Sequence, residues 1–214
     1  MKTRYFPDVI AIAFMAFTAV ATLLVYDHLP PTMATHFDLH GQANGWMPRV
    51  YGAWVMPAVA FLLWAMLRFA RVILPAPWRA RVEGSPLSTL ACVTGLFLSA
   101  LHLLILEVAL HGGSSLGRGL ALLMGGMWIA LALLLPRVRR NPLIGVRTAW
   151  SLTSDENWAR THRVASYTFA AGGVIALVEG LVGGSSATAV ALVAVVVSSL
   201  FPAVYSYVLA RSTT

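Results

Sequence analysis

Three sets of polar residues in this chain have types and spacings that could do chemistry; two lie in the loops between long apolar runs and one inside those runs. The first is His36-Phe37-Asp38-Leu39-His40, where His36, Asp38 and His40 alternate. In an extended strand these three side chains share one face, and in a helix His36 and His40 still lie one turn apart. Two imidazoles and a carboxylate suit zinc or a similar divalent metal, with His28 as a possible further donor. The competing reading is a loop whose Asp and His side chains hydrogen-bond backbone and one another. The second set lies in Pro136–Ala165, which carries six arginines, Arg137, Arg139, Arg140, Arg147, Arg160 and Arg163, interleaved with Trp150 and Trp158. Planar guanidinium forks can grip carboxylates or backbone carbonyls bidentately, as a docking surface for a partner requires. The same composition also suits an anchor at an anionic lipid surface. The third set is His102, Glu107 and Glu179, which fall inside apolar runs. A charge in hydrocarbon costs ~2.5–3.5 kcal/mol on insertion scales, so each is a candidate for proton or cation coupling. For the two glutamates, snorkelling to the nearer interface is the plainer alternative.

The elements that must position these groups are spans. Hydrophobic residues make up 58% of the 214 and charged residues 11%, with a mean hydropathy of +0.76. A soluble domain carries about a quarter charged residues, so the solvent of this chain is mostly lipid. Six apolar runs approach the ~20 residues that a bilayer core demands. They are Val9–Tyr26, Tyr51–Leu74, Leu87–Leu110, Leu116–Leu135, Ala165–Val182 and Ala187–Ala210. The expected fold is therefore an all-α membrane protein, a six-helix transmembrane bundle forming a single domain over residues 1–214. The amino terminus imitates a secretory signal, but its apolar run continues past Ala19-Val20-Ala21, which favours an uncleaved first span. Cys92 is the lone cysteine and has no intrachain partner.

Charge sets the expected orientation. With both termini in the cytoplasm, thirteen of the fifteen Lys and Arg lie on the inner side, and only Arg49 and Arg118 lie outside. The positive-inside rule then places residues 27–50 outside and residues 137–164 inside. The formal charge of +7 is explained by these span ends, so direct nucleic-acid binding is not expected. Short connections predict that spans three and four, and five and six, are antiparallel neighbours. Gly172, Ala176 and Gly180 form a small-residue stripe, and Cys92, Gly95, Ser99 and His102 form a second; both should face other helices. Glu179 falls near the first stripe, where a neighbour could bury it.

Local signals sharpen the two loops. Pro30-Pro31 forces the chain out of the first span extended, and Asn44-Gly45 is a tight-turn signal, so the outer loop reads as a folded lid. Such a lid could close over the bundle mouth and bring His36 to Glu107 or Glu179. In the inner loop, Thr153-Ser154-Asp155-Glu156 reads as a capping box, with Thr153 as N-cap of a short helix through about Val164. Trp158 on that helix is expected at the lipid–water boundary. Arg137, Arg139 and Arg140 are expected to act only as topology determinants.

The run Asn141-Pro142-Leu143-Ile144-Gly145-Val146-Arg147-Thr148-Ala149-Trp150, followed by Trp158, resembles the signature of the SdpI family. These are bacterial multi-span membrane proteins whose namesake gives immunity to a secreted killing peptide. Residues 29–46 are similar to the Pro-x-x-x-x-His-Phe-x-x-x-Gly-x-x-(Asn/Asp)-Gly pattern of a small membrane domain often found ahead of such sequences. In that pattern only the position of His36 is a recurrent histidine. The resemblance implies a bacterial inner-membrane protein that confers immunity to, or senses, an antimicrobial peptide on the outer side. It further implies that a transcriptional repressor is held at the cytoplasmic loop, and it makes Asn141, Gly145, Arg147, Trp150 and Trp158 the partner-binding residues. Two other classes stay open: a small proton- or cation-coupled transporter using His102, Glu107 and Glu179, and a membrane metalloprotein centred on His36, Asp38 and His40. No zincin His-Glu-x-x-His, Gly-x-Ser-x-Gly or phosphate-binding glycine loop is present, so no enzyme is expected unless a metal site supplies one.

Overall fold

The computed structural model describes residues 5–39, 41–82, 85–112, 116–184 and 186–212. The elements run α1 (Phe6–Val25), β1 (Thr32–Phe37), β2 (Ala43–Pro48), α2 (Arg49–Gly52), α3 (Val55–Arg68), α4 (Ala70–Ile73), α5 (Ala76–Val82), α6 (Leu87–His111), α7 (Leu116–Leu134), α8 (Asp155–Val182) and α9 (Ala187–Ser212). Six helical segments are long and apolar enough to cross a membrane: Phe6–His28, Arg49–Arg68, Leu87–His111, Leu116–Arg137, Asp155–Val182 and Ala187–Ser212.

The helices form two groups. In one, α6 packs against α1 and α3; in the other, α8 is flanked by α7 and α9, and α6 and α7 join the two. Both small-residue stripes do face neighbours, since Cys92, Gly95, Ser99 and His102 are buried on α6, as are Gly172, Ala176 and Gly180 on α8. The approach of α7 and α8 is close enough that a Cβ on Gly173 would lie 2.9 Å from the Gly125 carbonyl oxygen. Small side chains are what permit such backbone proximity in lipid.

Proline inside α9 leaves a signature. Pro202 has no N–H, so the Ser198 carbonyl four residues earlier loses its helical partner. The Thr168 hydroxyl of α8 donates to that oxygen at 2.9 Å. A freed carbonyl in a membrane span must be met from a neighbouring helix, and here it is. The two arginines on the minority side also have structural work. Arg49 donates to the Tyr26 and Leu29 carbonyls just past α1. Arg118 reaches the Gly180 and Leu181 carbonyls at the end of α8. Cations at helix C-termini satisfy orphan carbonyls and oppose the dipole.

Two expected boundaries are corrected. The second span is not one helix through Leu74; it is broken at Ala53–Trp54 and again at Phe69. Pro57 falls in the first turn of α3, the place where a missing N–H costs no helical bond. The short helix of the inner loop is the start of the fifth span itself, so α8 runs unbroken for 28 residues. Its N-cap is Ser154 rather than Thr153, with the Ser154 hydroxyl accepting the Asn157 N–H at 3.0 Å. Thr153 is occupied otherwise, donating to the Trp150 carbonyl. At 1.5 Å per residue such a helix rises about 42 Å, against a hydrocarbon core of roughly 30 Å. The helix is thus longer than a core requires, and its first turns carry the inner loop.

Candidate functional site

The inner loop contains neither helix nor strand between Arg137 and Ser154, yet it is tightly built. Asn141, 1% exposed, is its organiser. Its amide nitrogen donates to the Arg139 and Ile144 carbonyls at 2.7 and 3.3 Å, and its oxygen accepts the Leu143 and Ile144 N–H groups at 2.7 and 2.9 Å. One side chain thus replaces the backbone ladder the segment lacks. The loop then turns at Gly145, whose φ of +106° disfavours any residue with a Cβ. A Cβ there would also lie 2.3 Å from His162 Nε2.

His162 lies buried in the first turns of α8. Its Nε2 accepts the Val146 N–H at 3.1 Å and its Nδ1 bonds the Trp158 carbonyl at 2.9 Å. Because the first partner is a donor and the second an acceptor, the ring is the neutral tautomer with its proton on Nδ1. It stacks on Trp158 with centroids 4.0 Å apart, and Trp158 Nε1 donates to the Val138 carbonyl at 2.8 Å. Trp158 is consequently 3% exposed, not a ring at the lipid–water boundary. Burying the indole while satisfying its N–H is the more favourable arrangement.

The far half of the loop is tied to the carboxyl-terminal helix. Thr148 and Ser151 exchange backbone-to-hydroxyl bonds at 2.9 Å each, and Thr148 Oγ1 meets Ser206 Oγ of α9 at 2.7 Å. Asn157 donates to the Ser206 carbonyl at 3.0 Å. Trp150 is 40% exposed and lies over Tyr207, 4.7 Å between centroids. Arg147 is exposed and donates to the Pro142 carbonyl. Arg140, expected only to set topology, instead pairs with Asp155 at 2.6 Å and donates to the Leu152 carbonyl. It fixes the loop to the start of α8.

The five residues named from sequence therefore divide. Asn141 and Trp158 are buried and build the loop from within, Gly145 is its exposed turn, and Arg147 and Trp150 are on its surface, as is Leu152. Sequence reasoning missed His162, Ser151, Asn157 and Ser206. The one signal for His162 was its spacing of four from Trp158, which puts both on one helical face.

On the opposite side, β1 and β2 form an antiparallel hairpin, so the lid is folded. Its turn is not at Asn44-Gly45, which lies within β2. It falls at Asp38–Gln42, where Gly41 takes a φ of +75° and Asp38 Oδ1 accepts the Gln42 N–H. Irregularities around His36 interrupt the pairing, so strict alternation of His36 with Asp38 does not hold. His36 Nδ1 pairs with Asn44 Oδ1 at 2.9 Å. Gly45 sits opposite, and a Cβ on it would come 2.8 Å from that of His36. The third member of the metal set, His40, lies outside the described residues. Among those described, no three His, Cys, Asp or Glu side chains gather as a metal site. The hairpin does reach the bundle mouth: Met33 is fully buried with Leu29, Ala53, Ile105 and Leu106. At Gly41 a Cβ would lie 3.6 Å from Thr188 Oγ1 and 3.9 Å from the Gly117 nitrogen, at the starts of α9 and α7.

Within the bundle the three ionisable groups stand apart in character. His102 is fully buried, and its Nε2 meets Thr22 Oγ1 of α1 at 2.8 Å. Its Nδ1 and the Ser99 hydroxyl have no partner among the described residues. Glu107 and Glu179 are half-buried, so α8 does not enclose Glu179 as its small-residue face encloses Gly180.

Residues 137–206 match the SdpI/YfhL protein family, and residues 13–61 match a domain of unknown function, DUF1648. The family match begins at the inner loop and covers α8 and most of α9; the other covers the later part of α1, the hairpin and the first half of α3. Neither curated proteins nor solved structures returned a match.

Proposed function

We propose that this multi-pass SdpI-like membrane protein, with a DUF1648 region ahead of its family segment, confers immunity to, or senses, a secreted antimicrobial peptide. In this reading it resides in a bacterial inner membrane with both termini cytoplasmic. The hairpin faces the outer side, where the peptide arrives. The inner loop presents Arg147, Trp150 and Leu152 to a cytoplasmic partner, such as a transcriptional repressor. One observation carries the proposal: the segment with the family match contains an internally bonded loop that leaves Arg147, Trp150 and Leu152 exposed along one short stretch. Loops that merely anchor a span need charge and an aromatic near the interface, not an internally bonded scaffold. A proton- or cation-coupled transporter has a narrower basis, namely the unpartnered His102 Nδ1.

The test compares Arg147→Lys and Trp150→Ala with Arg139→Lys, scoring survival or reporter output per unit of protein in the membrane. Arg147→Lys keeps the charge but loses the planar fork, so the first two variants should lose output while membrane abundance stays normal. Equal, near-native output from Arg147→Lys and Arg139→Lys would overturn docking at this loop.

A further inference from the structure

Two hollows meet on either side of Val138. One is a cleft of about 600 Å³ whose lining includes Arg139, Arg140, Arg163, Asp155 and His162. The other is a cavity of about 240 Å³ between α6, α7 and α8, lined by residues such as Leu90, Leu131, Leu135, Val146 and Phe169. The chain passes from one lining to the other within Leu135-Pro136-Arg137-Val138-Arg139, so apolar and basic surfaces adjoin over five residues.

The charges left available in the cleft are specific. Arg140 is committed to Asp155, and both ring nitrogens of His162 are engaged by backbone. The Arg139 and Arg163 guanidiniums are exposed and have no hydrogen-bond or carboxylate partner among the described residues. Counting Asp155 against Arg140 leaves two unmatched positive charges among the described residues of the cleft lining. In the apolar cavity the Val146 N–H is consumed by His162, so that donor is not available to a ligand. The volume is below the roughly 300 Å³ at which compact small-molecule pockets begin. A flexible hydrocarbon chain fits such a space better than a compact or polar ligand. Both hollows flank the amino-terminal half of α8, which in the proposed membrane placement is where the span leaves the hydrocarbon core and headgroups meet acyl chains.

We propose that this pair of hollows is a binding site for an anionic phospholipid, with the phosphate held by Arg139 and Arg163 and part of one acyl chain lodged between Leu131, Val146 and Phe169. The site is separate from the exposed Arg147 and Trp150 surface, and it stands whether or not that surface docks a partner.

The full-length protein, purified in mild detergent, would be titrated with phosphatidylglycerol, with phosphatidylcholine of the same chains, and with inorganic phosphate, and bound lipid read by native mass spectrometry. A single phosphatidylglycerol should be retained about tenfold more tightly than phosphatidylcholine, a difference of one decade in Kd. The double variant R139Q/R163Q changes only exposed side chains and should erase that preference. Arg160→Gln, three residues before Arg163 but outside the cleft lining and paired with Glu156, should leave it intact. Leu131→Trp, which fills the cavity, should weaken retention of both lipids; thermal unfolding checks that each variant is folded. Equal retention of the two lipids by the native protein would overturn the proposal. So would an equal loss in Arg160→Gln and the double variant, which would mean diffuse interfacial charge. Binding of inorganic phosphate as tight as phosphatidylglycerol would assign the cleft to a soluble anion instead, and unchanged retention in folded Leu131→Trp would remove the acyl chain from the cavity.

Discussion

The outer hairpin and the inner loop are of similar length and are built on opposite principles. The hairpin satisfies its backbone with its own two strands, and its side chains add little beyond His36 to Asn44 and Asp38 to the turn. The inner loop has no ladder. Its backbone groups are satisfied by Asn141, Ser151 and His162, and its fold is held by Trp158, Arg140 and contacts to α9. A ladder spreads its stability over many equivalent bonds, so single side chains matter little to it. A side-chain network concentrates stability, because removing one member leaves several buried backbone groups unpaired. The inner loop should therefore be fragile to single substitutions and the outer one robust.

The largest effect should come from Gly145→Ala. The new Cβ is placed at a φ of +106° and 2.3 Å from His162 Nε2, a ring atom held in place by the Val146 N–H and the Trp158 stack. Relief means displacing the imidazole, which unpairs the Val146 N–H and disturbs the Trp158 stack. Combined backbone strain and lost packing should cost roughly 3–5 kcal/mol, at the upper end for single substitutions. In detergent the expected result is a clear fall in the thermal midpoint and in membrane abundance. A variant as stable as the native protein would show that the loop has room to move, and would break the contrast at its firmest point.

Asn141→Ala should follow closely. It deletes four hydrogen bonds and leaves the Leu143 and Ile144 N–H groups without their acceptor. Each buried unsatisfied group costs ~1–3 kcal/mol, so a total of about 2–5 kcal/mol is expected. Asn141→Asp sharpens the comparison, since it keeps the acceptor oxygen but replaces the two donor bonds with a buried carboxylate oxygen facing the Arg139 and Ile144 carbonyls. Thermal midpoints in the order native, Asp, Ala would attribute the fold of the loop to the accepted N–H groups. Equal loss in both variants would place the weight on the donated bonds.

The two regions also differed in how far the sequence could be read. Spans were legible because lipid imposes one simple condition, a sustained apolar run, and the small-residue stripes followed from the same periodicity. The outer lid was legible as folded, but its turn was misplaced. Asn44-Gly45 and Asp38–Gly41 both carry turn chemistry, and what decides between them is distant: Gly45 must lack a Cβ because His36 lies across from it. In the inner loop the family-like residues were visible, but their division into builders and presented groups was not. Arg140 and Arg139 look identical in sequence, and only the position of Asp155 at the first residue of α8 separates them. His162 was hidden in the same way, because its role depends on Gly145 and Val146 arriving from sixteen or so residues away. The merging of the inner helix with the fifth span had a physical cause readable only in hindsight: no breaker separates Asp155 from Ala165, so a helix started by Ser154 has no reason to stop.

The smallest effect should come from His36→Ala, and it tests the robust side of the contrast. The bond from His36 to Asn44 is exposed, so water replaces much of what is lost, and a net cost of about 0.5–1 kcal/mol is expected. Removing the ring also relaxes the crowding against Gly45, which offsets part of that cost. The hairpin should keep its strand pairing, since the ladder and the burial of Met33 do not depend on this side chain. The thermal midpoint should move far less than in Asn141→Ala. Elemental analysis of the same two proteins gives the result a second dimension. If His36, Asp38 and His40 hold a metal, near-stoichiometric zinc or a similar ion would be present in the native protein and absent in His36→Ala. The variant would then lose much more stability, because metal binding energy becomes folding energy. A large destabilisation accompanied by metal loss would make the hairpin a metal-stapled element, concentrated like the inner loop. A small destabilisation with unchanged metal content would leave it the self-sufficient ladder that its pairing describes.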